Sequence, residues 1–422
     1  MSRRRIVAVN AGWLVSDRVF RLGISFVVGI LIARHLGPDR FGLLSLGQML
    51  LTMVMPLATF GLPDILVREF AKAERSPAVV LATALRLRML LAIVSLVVMT
   101  LLAFILRGSD STTLLVVIAY GLSFIPQAFD TVESRFQSLN RVGAISTMRM
   151  ISTGVFGLIR VAAVMLDFDV ITFAALFSLE IAFVYTLAWF QGRRYDLELD
   201  LGAWDRDESR FLLRESFPLA LRLLTIGIYM RVDQFAIASL LGDRDLGVYS
   251  VATRISELWY FVPVSIIAAA MPSLTQQYQV SLEQYERSLG RLLRLLILMS
   301  VPAALFISLF SGFILNILFG PAYAAAALPL SIQVWAGVFV AMGVGANPWF
   351  INTGHIRYGL YQAVAGAIVG IVFNLLLIPR YGLVGASMSL VASQAVSAVL
   401  LNAVFGRTRS LFLLQAKAFI LR

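Results

Sequence analysis

The chain has 422 residues, of which 59% are hydrophobic and 14% charged, and its mean hydropathy is +0.85. Soluble domains carry about a quarter charged residues, so this composition excludes an ordinary soluble protein and indicates a polytopic membrane protein. The absence of cysteine excludes disulfide, thiolate and iron–sulfur chemistry. The net charge of +11 suggests nucleic acid, but the basic residues are dispersed and no aromatic platform is interleaved with them, which disfavours that partner.

Apolar runs follow one another along the whole chain, and each is long enough to cross a bilayer core of about 30 Å. Backbone polar groups in lipid must be satisfied within their own segment, so we predict an all-α protein. Turn signals rich in Gly, Pro and Asp separate the runs. The predicted helices are 10–33, 41–62, 86–106, 112–131, 144–166, 168–190, 215–241, 246–270, 291–319, 328–351, 358–379 and 382–405.

The turn between the first two helices recurs 205 residues later. IARHLGPDRFGLLSL at 32–46 and IASLLGDRDLGVYSV at 237–251 share six of fifteen positions. Six predicted spans separate the copies, so the halves should be parallel repeats, an arrangement in which transport sites lie between the repeats. We therefore expect about twelve transmembrane helices in two parallel six-helix lobes.

The basic residues concentrate in alternate connecting segments, which the positive-inside rule places in the cytoplasm together with both termini. Mixed polar residues in the middle of the chain predict a linker. The expected organisation is an N-terminal six-helix lobe at 1–190, a cytoplasmic linker at 191–214, a C-terminal six-helix lobe at 215–405 and a cytoplasmic tail at 406–422.

Ten of the charged side chains inside the predicted spans lie well away from the span ends, and cations outnumber anions among them. Placing an arginine at the centre of a span costs about 2.5–3.5 kcal/mol, so each needs a partner or a wet cavity. Arginine suits bidentate phosphate binding, which predicts a cationic cavity for an anionic, phosphate-bearing substrate. The predicted substrate-binding residues are Arg18, Arg21, Arg160, Arg222, Arg231 and Arg254, and the predicted charge partners or coupling residues are Asp17, Glu180, Asp233 and Glu257.

Counting from the turn at 243–244 puts Asp233 and Arg254 at equal depth, about 16 Å down, and Arg231 and Glu257 level with each other one turn deeper. We predict both as pairs. Two plainer interpretations stay open. Arginines in the inner third, namely Arg18, Arg21 and Arg222, can snorkel to the interface, and Asp233 with Arg254 can simply lock two helices together.

No phosphate-binding loop, HExxH motif or Ser/His/Asp set occurs, and the two histidines, His35 and His355, are far apart at predicted loop edges. We expect no catalytic residue, no metal and no cofactor, and a transporter rather than an enzyme. With no nucleotide site, transport would run on a gradient or on the supply of substrate.

The phrases ARHLGPDRFG (33–42), GLPDILVREF (61–70), GVYSVA (247–252), LFGPAY (318–323) and NLLLIPRYGLVGA (374–386) follow one another in order along nearly the whole chain. This set resembles the polysaccharide-transporter branch of the multidrug/oligosaccharidyl-lipid/polysaccharide flippase (MOP) superfamily. The resemblance implies a V-shaped, MATE-like bundle of two lobes.

The resemblance further implies a flippase of the bacterial inner membrane, which moves an undecaprenyl-diphosphate-linked oligosaccharide to the outer leaflet for O-antigen, capsule or exopolysaccharide synthesis. Membrane lipids, and polysaccharide polymerase machinery, would be its other partners. The alternative within the superfamily is a gradient-driven exporter of drugs or small molecules, which relies on buried acids. A membrane glycosyltransferase or polymerase is disfavoured, because the predicted outer turns are short.

Overall fold

Helices account for every regular element of the computed structural model, which describes residues 3–72, 76–139, 142–193 and 204–420. The chain divides into two compact units, Met1–Gly227 and Ile228–Arg422. The helices that begin in the first unit are α1 (Arg3–Thr59), α2 (Leu62–Lys72), α3 (Pro77–Arg107), α4 (Ser111–Gly121), α5 (Phe124–Gln127), α6 (Asp130–Ser138), α7 (Val142–Met165), α8 (Val170–Arg193) and α9 (Arg206–Tyr229).

The second unit contains nine α-helices, two short 3-10 helices and one π-helical turn in its described part. In chain order these are α10 (Val232–Leu240), α11 (Asp243–Leu258), α12 (Phe261–Val280), α13 (Leu282–Phe319), a 3-10 helix (Pro321–Ala326), α14 (Ala327–Gln333), α15 (Ala336–Asn352), α16 (Arg357–Ala395), the π-helical turn (Val396–Leu400), α17 (Leu401–Val404), a 3-10 helix (Gly406–Thr408) and α18 (Arg409–Phe419).

Eight helical stretches of the described residues are long and apolar enough to cross a membrane, or nine if the bent pair Pro321–Gln333 and Ala336–Asn352 counts as one span. Two of the eight contain a kink at a glycine with positive φ, Gly37 in α1 and Gly382 in α16, and each covers two predicted spans. The broken pair α9–α10 occupies the place of the predicted seventh span. The all-α membrane fold of about twelve spans is confirmed.

Several helices are longer than predicted. The predicted helix 86–106 begins at Pro77, because proline suits the first turn of a helix, where its missing N–H is not needed. The predicted helix 215–241 begins at Arg206, and its added turns bury Leu212 against α2 and α3. The predicted linker therefore narrows to the residues between α8 and α9, of which 194–203 lie outside the described part.

The expected tail at 406–422 contains a helix, α18, in its described part. Leu411 of α18 is fully buried in a core that includes Leu289 and Leu293 of α13 and Trp349 of α15. The apolar positions of α18 recur at helical spacing, so this helix covers the end of the second unit with one face. The lobe boundaries at 190 and 215 stay predictions.

Candidate functional site

Helices α1 and α7 approach closely in the first unit because glycines of α7 face large side chains of α1. A Cβ atom at Gly157 would lie 2.9 Å from Cγ2 of Ile24, and one at Gly143 would lie 3.0 Å from Nε1 of Trp13. Small residues at such contacts allow membrane helices to pack backbone against side chain. The packing holds the charged turn of α1 between these two contacts in place.

That turn contains three of the predicted site residues. Nε of Arg21 donates to Oδ1 of Asp17 at 2.8 Å, and Nη2 donates to Oδ2 at 3.2 Å. The carboxylate of Asp17 is only 2% exposed, whereas Arg21 is half-buried and Arg18 is exposed. The pair therefore has one fixed, buried acid and one cation with an open side.

Arg160 of α7 and Glu180 of α8 form a second pair. Nη1 of Arg160 lies 2.7 Å from Oε2 of Glu180, and both side chains are 13% exposed. Thr153 Oγ1 donates to the other carboxylate oxygen of Glu180 at 2.9 Å. Since both oxygens of Glu180 are engaged, this pair joins α7 to α8 firmly.

Arg88 of α3 forms a buried ion pair that the sequence interpretation missed. Its side chain is 1% exposed, and its Nη2 and Nε atoms donate to Asp130 of α6 at 2.6 and 3.2 Å. Nη2 also donates to the carbonyl oxygen of Gln127 at 3.2 Å, and Nη1 donates to that of Ala58. Arg88 thus satisfies backbone acceptors at two places where helices end.

Arg149 of α7 pairs with Glu133 of α6 and was also missed. Arg88 was missed because the third helix was predicted to begin at Arg86, which places Arg88 at the end of that helix. The signal that could have found Arg88 is Pro77: a helix starting there places Arg88 three turns inside it. For Arg149 the signal was its position inside the predicted helix 144–166.

In the second unit, Arg231 stands at the break between α9 and α10. Its backbone (φ −129°, ψ 5°) leaves the helical conformation there. Nη1 lies 2.9 Å from Oε1 of Glu257 in α11, and Nη2 donates to Oε2 at 3.5 Å. The predicted pair Arg231–Glu257 is confirmed. Among the acids of the ion pairs described above, Glu257 is the most exposed, at 37%.

Asp233 has a different partner from the predicted one. Its buried carboxylate accepts the Tyr249 hydroxyl at 2.7 Å and the backbone N–H of Gln234 at 2.8 Å, instead of the expected contact with Arg254. Both of these donors are neutral groups. Arg254 lies half-buried on α11, one turn before Glu257, and Arg222 is exposed on α9.

Uncharged groups hold the break beside Arg231. The hydroxyl of Tyr229 lies 3.1 Å from Oγ of Ser397, which belongs to the π-helical turn. Such turns often mark functional positions in helices. Ser393 Oγ lies 3.5 Å from the same phenol. Charge counting in the sequence could not find this network, because none of its members is charged.

Three of the six predicted arginines pair with acids of the predicted set: Arg21 with Asp17, Arg160 with Glu180 and Arg231 with Glu257. A phosphate group offers oxygens in a geometry similar to that of a carboxylate. Within the residues that the structure describes, no three His, Asp or Glu side chains group as a metal site requires.

The sequence matches the family described as polysaccharide biosynthesis protein over residues 7–278, and the MatE family over residues 218–376. The chain belongs to the polysaccharide biosynthesis protein family. A relative of this family member is the probable low-salt glycan biosynthesis flippase Agl15 of Haloferax volcanii, 24% identical over 90% of this chain and 80% of Agl15. Another is the capsular polysaccharide biosynthesis protein CapF of Staphylococcus aureus, 22% identical over 73% of this chain and 78% of CapF.

Solved structures share the fold of this polysaccharide biosynthesis protein. The lipid II flippase MurJ in an inward closed conformation has a TM-score of 0.74, 10% identity, and coverage of 98% of this chain and 91% of MurJ. An inward-facing multidrug MATE family transporter of the MOP superfamily has a TM-score of 0.71, 16% identity, and coverage of 94% and 96%. The predicted superfamily and the two-lobe helical fold are confirmed.

Proposed function

We propose that this protein is a flippase for a lipid-linked oligosaccharide, and that arginines in its spans bind the phosphates of the carrier lipid. The observation that carries the proposal is Arg231: a cation at a helix break within the predicted seventh span, opposed by the partly exposed carboxylate of Glu257. Family membership and the names of the relatives support glycan-lipid transport over drug export.

In the proposed cycle, a phosphate of the substrate replaces Glu257 as the partner of Arg231. The guanidinium keeps an anionic partner throughout, so Arg231 is never left unpaired during the exchange. The N-terminus of α10 begins at the next residue and adds its partial positive charge. The sugars would move through a polar path by alternating access, while the lipid tail stays in the bilayer.

The finer assignments are part of the same proposal. The carrier would be undecaprenyl diphosphate, the compartment the bacterial cytoplasmic membrane with both chain termini inside, and the product a repeat unit for exopolysaccharide, capsule or O-antigen. Polysaccharide polymerase machinery would receive the flipped unit. Arg18, Arg21, Arg160, Arg222 and Arg254 would guide the phosphates on the way to and from Arg231.

The test is flipping in proteoliposomes. A polyprenyl-diphosphate oligosaccharide is labelled on its sugar, and a membrane-impermeant glycosidase outside the vesicles cleaves whatever reaches the outer leaflet. The wild-type protein should raise the cleaved fraction above that of protein-free vesicles. Arg231→Gln should lower the initial rate at least tenfold, which corresponds to about 1.4 kcal/mol of lost binding to a charged group.

The matched control is Arg40→Gln, which removes an equally charged side chain from an exposed pair with Asp169. The Arg40→Gln variant should flip the labelled oligosaccharide lipid at the wild-type rate. Normal flipping by Arg231→Gln would contradict the role given to this residue. Failure of the wild type with several oligosaccharides, under imposed proton or sodium gradients, would contradict the flippase.

A second candidate, a gradient-driven exporter, is favoured by one observation. Asp233 is a buried carboxyl whose partner is a neutral phenol, Tyr249, an arrangement that allows protonation. An exporter should lose dye efflux on Asp233→Asn and keep it on Arg231→Gln. The flippase should show the opposite order of effects on glycan flipping.

A further inference from the structure

Basic side chains line one face of α13 near its N-terminus, and exposed apolar side chains continue the same face. Arg287, Arg291 and Arg294 are spaced four and three residues apart, which puts them on one face of the helix. Leu298 and Leu305 continue the same face at helical spacing and are 51% and 49% exposed. One helix face is thus cationic at its start and apolar where it enters the membrane.

A groove of about 630 Å³ lies between this cationic face and α18. Arg287, Arg291 and Arg294 line one side, and Lys417 lines the other. Gly290 lies between the arginines, and a Cβ atom there would come no closer than 3.9 Å to a side-chain carbon of Leu414. The missing side chain of Gly290 keeps the space between the two helices open.

The wall formed by α18 is fixed to the rest of the unit. The side-chain amide of Gln415 donates to the carbonyl oxygens of Met342 at 3.3 Å and Ala398 at 3.0 Å, and Gln415 also accepts from Asn402 at 3.0 Å. Leu411 is fully buried. Lys417 is therefore held opposite the arginines by a rigid helix.

Two glutamates also line the groove and partly offset its charge. Glu283 pairs with Arg287 in the first turn of α13, and Glu286 is the second acid. Arg291 donates to Ser288 Oγ at 3.3 Å, which is a neutral partner. The deeper part of the groove, towards the membrane, thus carries the excess of positive charge.

We propose that this groove binds the phosphate headgroup of an anionic phospholipid, with the acyl chains lying along Leu298 and Leu305. A free phosphate would need only the cations, whereas the exposed apolar continuation of the same helix face fits a lipid. The eleven residue steps from Arg294 to Leu305 rise about 16 Å, close to half of a bilayer core. Basic pockets at the cytoplasmic ends of membrane helices bind anionic headgroups in this way.

This site is separate from the residues proposed to bind the transported substrate. Arg231 lies on the α9–α10 break, whereas the groove is built from α13 and α18 of the same unit. The proposal depends on α13 crossing a membrane and does not depend on what the protein transports. A bound lipid would join α13 to α18 and so stabilise this end of the second unit.

The test measures thermal unfolding and lipid retention of the full-length protein in detergent. Phosphatidylglycerol should raise the melting temperature and remain bound in native mass spectrometry. Phosphatidylcholine and inorganic phosphate should do neither. In Arg291→Gln/Lys417→Gln, half-saturation should need about tenfold more phosphatidylglycerol, since each basic residue near an anionic headgroup contributes measurably to binding.

Gly290→Leu should abolish the lipid effect while all charges remain, because its side chain fills the groove. Gly290→Ala is its control and should behave as wild type, since the Cβ atom meets only an ordinary contact. The charge control is Arg206→Gln/Arg210→Gln on the exposed start of α9. Both glycine variants should fold, because glycine is the poorest non-proline residue in a helix interior.

Three results would overturn the proposal. Equal stabilisation by phosphatidylcholine would remove the role of charge, and equal stabilisation by inorganic phosphate would assign the groove to a free anion. Unchanged phosphatidylglycerol binding in both Gly290→Leu and the double Arg291/Lys417 variant would place the lipid elsewhere. Flipping activity is not part of this measurement, so failure of the proposed transport function would not affect its outcome.

Discussion

Arg88 shows how a single side chain can connect several helices. Its guanidinium group is buried and is shared between the carboxylate of Asp130 and the carbonyl oxygens of Ala58 and Gln127. These carbonyls lie near helix ends, where the backbone lacks its own hydrogen-bond donors. Arg88 therefore stabilises the packing of α1, α3, α5 and α6 in the first unit, and Asp130 of the same unit compensates its charge.

We predict that Arg88→Gln lowers the free energy of unfolding by about 3–5 kcal/mol, because it leaves the buried carboxylate of Asp130 without its cation. Unfolding in detergent, followed by helical circular dichroism against increasing denaturant, measures the change. The exposed pair Arg40–Asp169 is the control, and Arg40→Gln should cost about 1 kcal/mol or less.

The double variant Arg88→Leu/Asp130→Leu should recover part of the loss, since an apolar pair avoids the unpaired charge. If Arg88→Gln lowers the free energy of unfolding no more than Arg40→Gln does, the structural role proposed for Arg88 is wrong.

At the scale of elements, glycines with positive φ lie in several of the turns between successive helices of the described chain. Gly37, Gly242, Gly320 and Gly382 all have positive φ, between 55° and 96°, and no neighbouring atom lies within 4 Å of a Cβ built on any of them. The first two belong to the sequence repeat, and the other two lie in the phrases LFGPAY (318–323) and NLLLIPRYGLVGA (374–386). Glycine is needed there for its backbone conformation, and not for space.

We predict that Gly37→Ala and Gly242→Ala each lower the free energy of unfolding by about 1 kcal/mol, because an L-residue with a side chain is strained at positive φ. Gly23→Ala is the matched control: it lies within α1 and its Cβ would also meet nothing within 4 Å. It should leave stability unchanged or raise it slightly. Denaturant unfolding of the three variants in parallel decides the point, and equal effects at all three positions would refute it.

On the scale of the whole molecule, each of the two compact units contains one copy of the repeated turn, 32–46 in the first and 237–251 in the second. The units meet at Gly227 and Ile228, inside α9, which begins with residues packed against α2 and α3. One helix thus starts in the first unit and leads to Arg231 in the second. The placement of both halves in the membrane stays a prediction from charge.

We predict that the turns alternate sides, with Ser109 and Arg244 outside and Ser76 and Gln284 inside. The natural chain has no cysteine, so a thiol reagent can label only the single cysteine introduced at each of these positions. A membrane-impermeant maleimide should label Ser109→Cys and Arg244→Cys in intact cells, and Ser76→Cys and Gln284→Cys only after permeabilisation. Labelling of Ser76→Cys and Gln284→Cys from opposite sides would contradict parallel halves.

The sequence by itself determined the class of protein, the succession of spans and the glycine turns, because hydropathy and backbone restrictions act locally along the chain. It also predicted the Arg231–Glu257 pair, since both residues are counted from one turn and helical rise is constant. The family resemblance predicted the superfamily and the flippase function that the relatives support.

Only the tertiary structure decided which charged side chains form buried ion pairs and which stay partly exposed. Arg88 and Asp130 are 42 residues apart, and the other partners of Arg88 are backbone carbonyls, which carry no pattern in the sequence. Asp233 binds the Tyr249 hydroxyl instead of the predicted Arg254, because packing selected a neutral donor. The groove beside Gly290 depends on how α18 folds back onto α13, a long-range contact that local periodicity does not specify.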